Sequence, residues 1–126
     1  MTRGETTAAE TTSIAERGSG TVMSLGLALV VVMSCAAGVL VAQGFVAATR
    51  AAMVADLASL LAADAERGIR PGLPCAVAEA VAHLNEAAVV SCDIESPGER
   101  VRVVVRVQMP TGWGAAEGRS RAGRPA

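Results

Sequence analysis

The chain is 126 residues long and carries eleven basic residues, all of them Arg, against twelve acidic ones, for a formal net charge of −1. That balance excludes the broad positive field by which proteins gather on nucleic acid. Aromatic residues amount to 2%, Phe45 and Trp113 alone, so any core is built from Val, Leu and Ala; once one long apolar stretch is set aside, roughly 60 residues remain, a single small module of the size that often needs a staple.

Residues 1–17 (MTRGETTAAETTSIAER) are Thr, Ala and Glu around one larger apolar side chain, Ile14. They bury too little surface to offset the entropy of ordering, and the reading is a disordered leader. A secretory signal has a short positive n-region and a short apolar core, whereas this leader has three Glu against two Arg and is followed by a far longer apolar run. Cleavable export stays as an alternative, on the small-residue sites Ala42-Gln43-Gly44 and Val46-Ala47-Ala48.

From Gly18 to Thr49 no Asp, Glu, Lys, Arg or His occurs, a run of 32 residues between Arg17 and Arg50. About 20 apolar residues at about 1.5 Å each cross a hydrocarbon core of roughly 30 Å, so this run predicts a membrane helix over about 22–48, bounded by Arg17 and Arg50. The β-branched run Val30-Val31-Val32 does not argue for a strand, because a lone strand in lipid leaves its backbone groups unpaired. Ser34, Gly38 and Ala42 fall four apart and offer a helix-packing face where another backbone can approach closely; the plainer reading is that Ala and Gly are abundant here. Cys35 sits in mid-span as a small apolar residue, and Gln43 lies near one end, within reach of the interface.

The helical pattern continues through TRAAMVADLASLLAADAER, with Val54, Leu57 and Leu61 at spacings of three and four. One long helix over 18–67 results, its first half in lipid and its second half beyond it, with Arg50 snorkelling at the boundary. Asp56, Asp64 and Glu66 are read as a solvated face. GIRPGLP, residues 68–74, is a linker that ends the helix.

A small α+β module over 75–109 follows. Pro74 suits a first helical turn, and 75–87 places Val77, Val81 and Leu84 at helical spacing, with Glu79, His83 and Glu86 among the polar positions. AVVSCDI alternates as a strand, ESPGER is a turn, and VRVVVRVQM sets Val101, Val103, Val105, Val107 and Met109 on one face, with Arg102, Val104, Arg106 and Gln108 on the other. The 75–87 helix is the nearest cover for that apolar face, which gives a small helix packed on a two- to three-stranded antiparallel sheet. Residues 110–126 read as a flexible tail or a weak third strand through Arg119 to Ala122. Trp113 suits either a membrane interface or the sheet edge.

A helix over 75–87 and a strand returning from Ala88 to Cys92 each cover roughly 17 Å, which brings Cys92 back beside Cys75. A disulfide there stabilises the module by about 3 kcal/mol and persists only in an oxidising compartment. The alternatives are two free buried thiols, or a metal site on Cys75, His83 and Cys92 that lacks paired CxxC spacing and a fourth ligand. Arginine counts on the two sides of the span do not set its orientation. No Ser/His/Asp set and no nucleotide-binding glycine loop appears, and Glu79 with His83 one turn on reads as a surface pair. The expectation is no enzyme activity, no cofactor, no metal, no small-molecule substrate and no nucleic acid, with membrane lipid as the first partner.

Read in order, Arg17-Gly18-Ser19-Gly20-Thr21-Val22 entering the span, Arg50 leaving it, Ala55 to Ala63 (ADLASLLAA) beyond, Cys75, Cys92, the Val/Arg alternation at 101–107 and Ser120-Arg121-Ala122-Gly123 form an ordered set. From about Glu16 onward it resembles the short TadE/TadG-like proteins of actinobacteria, which accompany tight-adherence pilus or secretion genes. The resemblance implies a minor pilin or pseudopilin-like subunit, single-pass in the cell membrane, amino end cytoplasmic and carboxyl module outside, assembled with other pilin-like membrane subunits through the long helix. The alternative is a membrane-anchored accessory or regulatory subunit that forms a defined pair. Processing of type IV-like prepilins follows a Gly and leaves Glu five residues into the mature chain. Here cleavage after Gly18 places Met23 there, and cleavage after Gly20 places Leu25.

Overall fold

The computed structural model describes the backbone of residues 3–124 and the side chains of residues 18–124; of the leader expected to be disordered, residues 1–17, the first two residues and the side chains of 3–17, that of Arg17 among them, lie outside the described residues. The elements are α1 (Arg3–Glu66), α2 (Pro74–Leu84), β1 (Ala88–Ser96), β2 (Arg100–Gln108) and β3 (Ala115–Gly123). They divide into two compact units, Met1–Leu40 and Val41–Ala126. The first consists of the amino-terminal part of α1. The second holds the rest of α1, together with α2 and an antiparallel sheet in the order β1-β2-β3.

Both helices stop for the same reason. At the end of α1, Gly68 takes φ 75°, its N–H donates to the Ala65 carbonyl (3.1 Å) and that of Ile69 to the Asp64 carbonyl (3.0 Å). This is the left-handed cap that satisfies otherwise orphaned carbonyls, and glycine adopts it without Cβ strain. At the end of α2 the same pair of bonds recurs, Glu86 to His83 (3.1 Å) and Ala87 to Ala82 (2.9 Å), with Glu86 at φ 56° in the glycine position. The helix expected over 75–87 therefore ends at Leu84, and Glu86 is a capping residue instead of a helical one.

The sheet's inner face is made by Val101, Val103, Val105 and Val107, all buried, as the alternation in β2 predicts. Its cover differs from the expectation. Besides α2, which contributes Ala78, Val81 and Ala82, the second half of α1 packs into the same core through Val54, Ala55, Ala58, Ala62 and Ala63. Of the larger residues singled out by spacing, Val54 is buried on that face, Leu61 is partly so, and Leu57 is exposed. Leu84, placed by spacing on the apolar side of α2, is likewise exposed. The buried face of α1 is an alanine face because β3 lies very close to it. A Cβ on Gly118 would fall onto the backbone carbonyl of Ala51, so only small side chains fit between helix and strand.

The segment after Met109 is a full strand, paired with β2 from Arg100↔Gly123 to Gln108↔Ala115. Its inner positions, Ala116, Gly118, Ser120 and Ala122, are small, while Glu117, Arg119 and Arg121 point out. Ser59 of α1 is buried and its hydroxyl shares a hydrogen bond with that of Ser120 (3.1 Å). Glu66, expected on a solvated face, accepts the Gly98 N–H at 2.8 Å and so ties the β1–β2 turn to the end of α1.

Candidate functional site

Four features carry the chemistry that this chain offers. The first is the apolar part of α1. Its most apolar window is not buried within the chain at all, and Val22, Met23, Leu25, Leu27, Leu29 and Val30 are all more than half exposed. The hydroxyls that this stretch carries are satisfied by its own backbone: Ser34 donates to the Val30 carbonyl (2.8 Å) and Thr49 to that of Phe45 (2.8 Å). A helix with internally bonded hydroxyls can lie in hydrocarbon without unpaired polar groups. α1 is thus long and apolar enough to cross a membrane. Ser34 and Gly38 of the expected packing face lie on the open surface, with nothing within 4 Å of a Cβ built on Gly38, and Ala42, in the second unit, is also exposed. Gly18 and Gly20, the candidate processing positions, sit within α1 in equally open surroundings. Cys35 is a free, exposed thiol. Gln43, expected to reach outward, instead has its Oε1 buried with no hydrogen-bond partner among the described residues, at a cost of about 1–3 kcal/mol.

The second is the closure of the head. Cys75 at the start of α2 and Cys92 in β1 form a disulfide with their Cα atoms 5.8 Å apart. The antiparallel return of β1 along α2 makes that approach, as the lengths of the two elements require. With both sulfurs joined, the alternatives of free thiols and of a metal site on Cys75, His83 and Cys92 fall away. Glu79 and His83 both lie exposed on α2.

Across the outer face of the sheet, two carboxylates each hold two guanidinium groups. Glu95 takes Arg102 (2.7 Å) and Arg121 (2.9 Å), and Glu117 takes Arg106 (2.9 Å) and Arg119 (3.8 Å). Arg102 and Arg121 are direct cross-strand neighbours, so without Glu95 two like charges would face one another. The pairs are exposed, so solvent screening leaves each with little net contribution. The hydrogen bond from Arg106 holds the Glu117 carboxyl below its ordinary value of 4.5, against the opposing effect of desolvation and aided by the charges of Arg106 and Arg119. Since the folded value is the lower one, the unfolded chain takes up this proton first as pH falls. The contribution is complete above the ordinary value and is lost as pH drops through the depressed one. Glu117→Gln should therefore lower the urea midpoint slightly at neutral pH, and the difference from the native chain should vanish as pH falls below about 4.5.

The fourth is an exposed stripe, of which spacing singled out Leu57 alone. On the part of α1 that belongs to the head unit, Val46, Met53, Leu57 and Leu60 remain between 44% and 68% exposed. They follow one another at steps of seven, four and three, within an arc of roughly 60° at about 100° per residue, opposite the alanine face. Counting both faces of the helix would have shown this stripe; attention to Val54, Leu57 and Leu61 merged it with the buried one. At the start of this half, Arg50 donates to the Asn85 carbonyl and pairs with Glu86, both at 3.2 Å, so it clips the end of α2 to α1.

No model of a known family, no curated protein and no solved structure matches this chain.

Proposed function

We propose that the chain is a minor pilin or pseudopilin-like component, structural or assembling, of a tight-adherence, type IV-like pilus or secretion apparatus. It is held in the cell membrane by α1, with the amino end cytoplasmic and the disulfide-closed head outside. The observation that carries the reading is the exposed stripe Val46, Met53, Leu57 and Leu60. Beyond Arg50 the charge-free run has ended, yet α1 still presents an apolar face that the head leaves uncovered. Exposed apolar patches of this kind mark contacts between proteins, and a stripe along one helix fits lateral packing against the helices of other pilin-like membrane subunits. The disulfide supports an external head, because such a bond persists only in an oxidising compartment.

A second reading, an accessory or regulatory subunit that pairs with one other membrane protein, is favoured by Met23 or Leu25 standing where a processed prepilin carries Glu. Cross-linking separates the two. Leu60→Cys in a Cys35→Ser background, treated with a short bifunctional maleimide in native membranes, is expected to give a ladder of products containing this chain and its pilin-like neighbours. One discrete product with a single partner would favour the accessory reading. An introduced thiol that stays freely reactive without cross-linking would remove both.

A further inference from the structure

Three contacts orient the sheet along α1 within the head unit. The β1–β2 turn meets the end of the helix through Gly98 and Glu66, Ser120 meets Ser59, and Gly118 rests against Ala51. From Ala51 to Glu66 the helix advances about 22 Å. The β2–β3 loop, Met109–Gly114, is therefore at the Ala51 end, since Gln108 and Ala115 on either side of it are paired. The end of α2 lies there too, because Arg50 holds Asn85 and Glu86. One end of the head is thus level with the point at which the charge-free run of α1, through Val41–Thr49, gives way to Arg50.

The chemistry of that end is unlike that of the rest of the head. No charged residue occurs between Arg106 and Glu117, although β2 and β3 elsewhere carry a charge at nearly every outward position. At the loop's tip Trp113 is 93% exposed; Leu84 at the end of α2 is 83% exposed, and Phe45, the chain's other aromatic, is 75% exposed just before Arg50. The loop is closed by its own backbone, with the Met109 N–H donating to the Gly114 carbonyl and the Gly112 N–H to the Met109 carbonyl, both at 2.9 Å. Trp113 is accordingly presented by a shaped turn, and little further ordering is needed for it to bind. An indole, with an apolar body and one N–H, partitions to the boundary between headgroups and acyl chains.

We infer that the Met109–Gly114 loop contacts the bilayer that surrounds α1 and sets Trp113 into its interfacial layer, seating the head on the membrane surface. The inference rests on the reading of α1 as a membrane anchor. The occupant is lipid because the loop shares a level with the end of the apolar run on the same helix, and because its uncharged, Trp-tipped composition matches an interface.

Trp113 is the chain's sole tryptophan, so intrinsic fluorescence reports it alone. The full chain is reconstituted into phosphatidylcholine vesicles containing lipid brominated either near the headgroup or near the bilayer centre. A Phe45→Trp/Trp113→Phe variant, in which the fluorophore lies on α1, serves as the reference. Emission from Trp113 is expected to lie to the blue of that of the denatured chain, to be quenched more by the shallow bromines than by the deep ones, and to resist acrylamide. If the reference is quenched and Trp113 is not, the loop does not touch lipid and the inference fails while the anchor stands. If neither is quenched, the anchor reading fails and the inference with it. Emission that follows the protein-to-lipid ratio but ignores bromine would assign the loop to a second copy of the chain and overturn the inference.

Discussion

Replacing Cys75 and Cys92 together by alanine is expected to lower the unfolding free energy of the head by about 3 kcal/mol, the loss set by a closed loop with a sequence separation of 17. In a domain this small each kcal/mol moves the midpoint by roughly 4–8 °C, so the thermal transition should fall by more than about 10 °C. Both cysteines are replaced because a single substitution leaves an unpaired thiol open to exchange. The effect is large because the head has little else to rely on. Its fully buried core side chains are valines and alanines, with no aromatic among them, and small modules bury a low fraction of their surface. Circular dichroism melts in detergent, with and without reductant, measure it: reductant should shift the native chain to the midpoint of the double variant and leave the variant unmoved. A shift of only a degree or two would mean that the alanine packing of α1 holds the head by itself.

Gly118→Ala should destabilise by about 3 kcal/mol, at the upper end of what overpacking costs. The added methyl would land on backbone atoms of Ala51 and Ala52. A backbone carbonyl cannot rotate aside as a side-chain tip can, so α1 must lift away from β3. The seam that opens runs through Ala51, Ala55 and Ala58, each fully buried, and every contact along it weakens together. Arg119→Ala, the outward neighbour on the same strand, is the control; its pairing with Glu117 is exposed and long, and it should stay within about 0.5 kcal/mol. Urea unfolding gives the magnitudes, and amide exchange shows where the damage lies, with protection lost over residues 51–62 of α1. Equal effects from the two substitutions would mean that the close approach of helix and strand is not what sets the packing.

Sequence and structure agree wherever one local property decides the outcome. The charge-free run between Arg17 and Arg50 is visible as a string, and Gly68 stops α1 because its φ of 75° suits glycine. The strict Val alternation of β2 leaves only one face to bury. Element lengths alone bring Cys92 back beside Cys75, since a helix and a returning strand have fixed rises; that the two are joined is seen in the structure.

They part where size is taken as the mark of burial. β3 reads as a tail or a weak strand because its inward residues are Ala116, Gly118, Ser120 and Ala122, although its alternation of small and charged residues is as regular as that of β2. In α1, Leu57 and Leu60 outrank the alanines in hydrophobicity, yet they are exposed and the alanines are buried. By itself, then, the sequence determined the apolar helix, its end, the helix-then-hairpin order and the approach of the two cysteines, because each depends on residues close together in the chain or on fixed geometry. Only the tertiary structure decided which face of α1 turns inward and that β3 completes the sheet. Those choices depend on how closely two backbones distant in sequence can approach, and the small side chains that permit the approach announce nothing until both surfaces are present.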